Sequence, residues 1–324
     1  MPPAYPHLTR LIVAGCLLLT TGRGHAQAVT DSIANDFRSV VARNFSRYRT
    51  MNMYWEMDGA HDYTFTADGK DVEKGRKRDL HTIRFSTMVP LLKQHRFQLY
   101  ANVQYASYVF DCPDGQSAIF QDDSYSHYQG GFTASYLTTL FNRPLVLGAD
   151  IFADGWNGGW GILQGRMVAA LVLAQNKQTA FSLGLVGMTH GRVPVLPVIS
   201  YWHRFADPRW SIDITLPSQM YLRYQWENQR ISAGASMSSS NFYLSTSLPG
   251  APSVCLYSEA VTKPEIMYEY IINKHFYLSA RAGINVLMSG ELYSRSRKEL
   301  DTAIEMERSA TPFFNVGVSY SLFK

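Results

Sequence analysis

Pro312-Phe313-Phe314-Asn315-Val316-Gly317-Val318-Ser319-Tyr320-Ser321-Leu322-Phe323-Lys324 ends the chain, and its alternation decides the fold. Phe314, Val316, Val318, Tyr320 and Leu322 recur at every second position, with Asn315, Gly317, Ser319 and Ser321 between them. Successive side chains of a strand point to opposite faces, so one face here is hydrocarbon and the other small and polar. A strand with lipid on one side and a wet lumen on the other needs that pattern.

The same rhythm returns upstream in segments of about ten residues. Phe97, Leu99, Ala101, Val103 and Tyr105 oppose Gln98, Tyr100, Asn102 and Gln104; Leu145, Leu147, Ala149 and Ile151 oppose Gly148 and Asp150. Leu163, Met167, Ala169, Leu171 and Leu173 oppose Gln164 and Arg166; Phe276, Leu278, Ala280, Ala282 and Ile284 oppose Tyr277, Ser279, Arg281 and Asn285. Charges and amides keep to one face, strand after strand. Short turns at 92–95, 142–144, 176–178, 227–229 and 273–275 alternate with longer excursions at 68–78, 111–124, 154–161, 248–253 and 290–309. That asymmetry places short turns on the periplasmic side and long loops outside. The pattern predicts an all-β, antiparallel up-and-down transmembrane barrel of twelve strands over 50–324. Fourteen is the alternative, because Leu216-Pro217-Ser218 interrupts 210–226 with either a turn between two short strands or a bulge.

Arg10 precedes the apolar run Leu11 to Leu19, and Gly24-His25-Ala26 supplies the small residues of a cleavage site. Residues 1–26 therefore read as a signal peptide, with Gln27 the first mature residue. Val13-Ala14-Gly15-Cys16 also matches a lipoprotein box, but the apolar run before Cys16 is shorter than the roughly 7 residues expected. Ile33, Phe37, Val40, Val41 and Phe45 recur at helical spacing after Asp31, which predicts a short helix in 27–49, either a periplasmic cap or a plug. Removing 1–26 takes away Arg10 and Arg23 and no acid, so the formal charge falls from +4 to +2; nucleic acid is not an expected partner. Charged residues at 17% and aromatics at 13%, with 20 Tyr, suit a barrel wearing aromatic girdles.

The terminal Asn315-x-Gly317-x-x-Tyr320-x-Leu322, followed by Phe323, resembles the C-terminal assembly signal of bacterial outer-membrane β-barrel proteins. With the Ala26/Gln27 junction and the rhythm around Trp210, Leu216-Pro217 and Tyr221, the chain resembles the uncharacterised outer-membrane barrel families of Bacteroidota-type bacteria. The resemblance implies insertion by the barrel-assembly machinery and residence among outer-membrane lipids and lipopolysaccharide. It carries over no catalytic residue.

Several residues are candidates for chemistry. Arg84, Arg166, Arg223 and Arg281 share the inward faces with Gln104, Asp150, Glu265 and Glu269. Asp150 with Arg166, and Glu269 with Arg281, come from adjacent strands and can pair across them. Such a lining is either a constriction that selects small polar solutes or simply the paired filling of a narrow lumen. Trp156 and Trp160 flank a glycine-rich tip that could stack on a glycan or lipid headgroup, or anchor the interface. Cys112 and Cys255 are the two mature cysteines, and the compartment permits a bridge between their loops, which the sequence leaves open. A lipid- or lipopolysaccharide-modifying enzyme would draw on Ser124, Ser126, His127, Asp122, Asp123 or His190, none of which lies in a Gly-x-Ser-x-Gly elbow. Asp111, Asp114, Asp122 and Asp123 could hold a divalent cation but read as a solvated loop. The expected function is thus a non-enzymatic outer-membrane barrel, a narrow channel or a structural or binding element, needing no cofactor and no metal.

Overall fold

The computed structural model describes residues 49–94, 96–112, 117–190, 193–248, 251–273 and 275–322. The expected leader, nearly all of the expected helix and Phe323 lie outside them. The strands are β1 (Met51–Asp58), β2 (His61–Ala67), β3 (Lys70–Lys93), β4 (Phe97–Asp111), β5 (Ser124–Leu140), β6 (Arg143–Trp156), β7 (Gly159–Gln175) and β8 (Thr179–Met188). They continue as β9 (Val195–Arg204), β10 (Trp210–Leu216), β11 (Gln219–Trp226), β12 (Gln229–Ser245), β13 (Val254–Ile272), β14 (Phe276–Ser294), β15 (Glu299–Arg308) and β16 (Thr311–Tyr320). No helix occurs among the described residues.

These sixteen segments make fourteen staves. β1 pairs low on β3 (Met57 with His81) and β2 pairs higher on the same strand (His61 with Lys77), so the two are halves of one stave. β16 and β15 divide β14 in the same way. The first stave closes on the last through Trp55 with Val316 and Phe65 with Met306. The sheet is antiparallel and closes on itself, as a membrane demands of β-structure. The count is fourteen, the alternative to twelve, and Pro217-Ser218 makes a two-residue turn, after a cis Leu216–Pro217 bond, between two paired strands.

The alternation fixes the faces. Phe314, Val316, Val318 and Leu322 point outward, while Asn315, Ser319 and Ser321 are buried inside. Gly317 sits where a side chain would not fit: a Cβ there would meet Tyr54 Cβ at 2.9 Å and Met53 O at 3.0 Å. Leu322 N donates to Thr50 Oγ1 at 3.0 Å, tying the end of the last stave to the start of the first.

Stave height varies greatly. β3 has 24 residues and β13 and β14 have 19 each, whereas β10 and β11 have 7 and 8. Two of the expected outer loops, 68–78 and 290–309, are therefore mostly strand. In the first, Asp68 and Gly69, both at positive φ, turn a hairpin that climbs out of the membrane. β12 pairs with β11 only as far as Ser236, and beyond that its partner is β13 alone. Its outer end leans inward, with Cα atoms within 8 Å of β5, half-way round the ring.

Candidate binding cavity inside the barrel

The outer end of the lumen is filled. Tyr63 and Phe65 of β2, Phe110 of β4, Tyr125 of β5, Phe242 of β12 and Tyr257 of β13 form one buried aromatic core with Ile119 and Phe120. The rings of Tyr125 and Phe242 stack at 4.8 Å, bringing opposite walls together across the interior. Phe120 meets Phe65 at 5.6 Å and Tyr257 at 5.7 Å. The segment carrying Ile119 and Phe120 is held inward by the Glu73 carboxylate, which accepts from Ser117 Oγ (2.5 Å), Ala118 N (2.9 Å) and Ile119 N (3.1 Å). Lys77, only 3% exposed, places its ammonium 3.7 Å from the centre of the Phe120 ring and 4.5 Å from that of Phe110. Buried cations over aromatic faces are attracted by the ring quadrupole.

Charged groups lie beneath this cap and at the inner end, where the short turns are. Lys263 meets Glu56 at 2.5 Å and Arg308 meets Glu259 at 2.5 Å, while Asn315 Nδ2 donates to Glu56 at 3.2 Å. Nearer the inner end, Glu269 accepts from Arg49 (2.6 Å) and Arg230 (2.5 Å), and Arg223 meets Asp213 at 2.6 Å. The Arg49 guanidinium also lies 3.6 Å from the centre of the Tyr277 ring. All of these inner-end side chains are essentially sealed from solvent, so each charge is tolerated only because its partners are in place.

Beside these networks lies a cavity of about 920 Å³. It extends from the inner ends of β4, β6 and β7 (Gln98, Pro144, Gln175) to the outer turn of the β10–β11 hairpin (Pro217, Ser218). One wall is polar: Asn52, Arg84, Asn102, Ser236, Ser238 and Arg281 belong to it. The other, from β6 to β9, presents Val146, Val168, Val172, Val186 and Val198. Those strands are apolar on both faces, since Met167, Leu185 and Ile199 point outward at the alternating positions.

The predicted lining residues are distributed over these features. Asp150 and Arg166 stand opposite each other and pair at 2.5 Å, with Arg166 51% exposed into the cavity. Arg84 crosses the lumen to donate to Ser239 O (2.9 Å) and Ser240 Oγ (2.7 Å) of β12. Gln104 lines the cavity, whereas Arg223 and Glu269 belong to the sealed inner network. Glu269 and Arg281 do not pair as expected: Glu269 stands opposite Ser279 and is occupied by two other arginines, while Arg281 reaches Glu265 at 3.7 Å.

No disulfide joins Cys112 and Cys255. Cys255 is a buried free thiol and Cys112 a half-buried one, both packed against the aromatic core. The two tryptophans do not form a clamp. Trp156 stacks on Tyr243 at 4.3 Å, and Trp160 is 73% exposed, with its carbonyl accepting from Arg295 (2.6 Å). Tyr243 and Arg297 (2.6 Å) both donate to the buried Asp154, and His127 lies 3.4 Å from the same carboxylate. Ser126 and His127 are consecutive in β5 and so point to opposite faces of the sheet.

A family model described as "Domain of unknown function (DUF6268)" matches residues 142–321, which run from β6 through β16. The chain belongs to this DUF6268 family. In DUF6268 terms, the matched part holds the apolar wall, the short hairpin and the closing strand. No curated protein matches the chain. Solved structures similar to it include an outer membrane channel from Pseudomonas putida F1 (11% identity, TM-score 0.37, 83% of this chain and 95% of that one). A Pseudomonas aeruginosa FadL homologue is similar at 10% identity and TM-score 0.38, over 84% and 90% of the chains. The outer membrane protease OmpT from Escherichia coli is similar at 8% and 0.29, over 84% and 96%.

Proposed function

We propose that this chain is a non-enzymatic β-barrel of the outer membrane, of the Bacteroidota-type kind its sequence resembles, whose lumen is a binding cavity and not an open diffusion channel. The observation that carries this reading is the contact of Tyr125 with Phe242 across the interior, at the centre of an aromatic core that caps the outer end. A hydrated solute crossing that layer would have to shed its water against buried rings, which is costly for polar groups. The apolar exterior meets membrane lipid, the charged outer lobe meets lipopolysaccharide, and the assembly machinery engages β16. Ser126 and His127, on opposite faces, give the enzyme reading no nucleophile–base pair, and the engagement of Trp156 by Tyr243 leaves the glycan reading one exposed indole.

Planar-bilayer recording of refolded protein tests the proposal. The expected result is a quiet membrane without stepwise openings. A steady conductance of the kind an open, water-filled porin gives would contradict it.

A further inference from the structure

The wall around the cavity is too low on one side. A tilted membrane strand needs about 9–11 residues, whereas β10 and β11 have 7 and 8. On β14 the outward apolar positions run from Phe276 to Met288, which sets the height of the belt. On the outward face of the hairpin, aromatic rings occur only at the inner end, where Trp210 and Tyr224 lie 4.9 Å apart, while Tyr221 near the tip is buried inside. Leu216 (45% exposed) and Met220 (49%) flank the tip itself, with no aromatic or charged side chain marking an outer interface. The tip therefore lies at the depth of the acyl chains. Irregular backbone survives there only against protein or a wet cavity, and Pro217 and Ser218 line this one. Beyond the bond that Met237 N donates to Ser218 O (2.8 Å), no described strand pairs with β12 on that side, and it leans away towards β5.

We infer that the gap above the β10–β11 turn is a doorway from the hydrocarbon into the cavity, and that the cavity takes an acyl-chain amphiphile with an anionic head. The inference rests on reading the lumen as a binding cavity. The two walls suit the two halves of such a ligand. Val168, Val172, Val186 and Val198 offer a chain an apolar surface, and Ser218, Gln219 and Ser236 offer a passing head hydrogen bonds. Five cationic and three anionic side chains line the space, which favours negative charge. Arg166 stands on the apolar wall's own strand, two residues from Val168, where head and chain would meet. At about 920 Å³ the cavity lies within the roughly 300–1,000 Å³ usual for small ligands. A carboxylate and a phosphate head share this chemistry.

The test uses the full chain in phosphatidylcholine liposomes, with the gel shift of folded barrels confirming each variant. The probe is a fluorescent polyene fatty acid, competed with unlabelled fatty acid, lysophosphatidic acid or fatty alcohol. Saturable binding is expected, with at least one anionic competitor about tenfold stronger than the alcohol. Stronger displacement by fatty acid than by lysophosphatidic acid identifies a carboxylate ligand, and the reverse order a phosphate. Val186→Trp should weaken binding about tenfold, and Arg166→Gln should abolish the preference for charge while sparing the alcohol. A photoactivatable fatty acid should label Leu216 or Met220 together with Val168 or Val186. No saturable binding, equal competition by the alcohol, or labels spread evenly over the outer surface would overturn the inference. A steady conductance would overturn the closed-cavity reading instead; a quiet bilayer without fatty-acid binding overturns this inference alone.

Discussion

β3 and β10 face each other half-way round the ring, and they are built for different surroundings. β3 runs 24 residues, and its outer third carries Lys70, Asp71, Glu73, Lys74, Arg76 and Lys77. β10 runs seven, and every outward position is Trp, Ile or Leu. The tall side rises into water, where its strands fold over one another and bury a dry aromatic core. The low side stops within the belt and leaves the space beneath that core uncovered. One uneven rim thus produces both the cap and the cavity.

The comparison can be broken at the cap first. Phe242→Ala removes the ring that joins β12 to β5 and should cost about 3–5 kcal/mol, measured by urea unfolding in detergent. A cost well under 1 kcal/mol would mean that the outer lobe is not packed. At the inner end, Glu269→Ala leaves Arg49 and Arg230 without their shared carboxylate and should cost about 3–5 kcal/mol. Asp150→Ala, whose partner Arg166 is half exposed to the cavity, should cost under about 1 kcal/mol. Equal losses would show that both pairs are sealed.

Arginine scanning sharpens the contrast in height. Leu216→Arg should cost about 2–4 kcal/mol if the turn lies near the bilayer midplane, whereas Val72→Arg on the outer part of β3 should cost about 0–1 kcal/mol. Similar values at the two positions would level the wall. The smallest effect expected is at the tryptophan tip: Trp156→Ala should lose about 1 kcal/mol with its stacking on Tyr243, and Trp160→Ala should stay within about 0.5 kcal/mol.

Much of the barrel was legible in the sequence. The lipid-facing and lumen-facing positions of β16, and the shared inward face of Asp150 and Arg166 on adjacent strands, followed from period-2 alternation alone. The strand count depended on Leu216-Pro217-Ser218, which pattern leaves open because a bulge and a two-residue turn interrupt alternation alike. The cap was missed for a physical reason: Phe110 and Tyr257 share the inward parity of Gln104 and Glu265, but alternation gives a face and not the long-range packing that brings these rings together. The apolar wall did leave a signal in the unbroken runs Met167 to Leu173 and Val195 to Ile199, where a strand facing water on one side would alternate. Charge partners at the inner end depend on register, which composition does not contain, so Glu269 was matched to Arg281 and not to Arg49 and Arg230.

The height of the β10–β11 turn can be measured directly. A spin label at Leu216→Cys, with Cys112 and Cys255 replaced by Ser, should be relaxed strongly by oxygen and weakly by a water-soluble nickel chelate in liposomes. A label at Val72→Cys in the same background should show the reverse. Strong relaxation by the chelate at position 216 would place the turn in water and contradict the uneven wall.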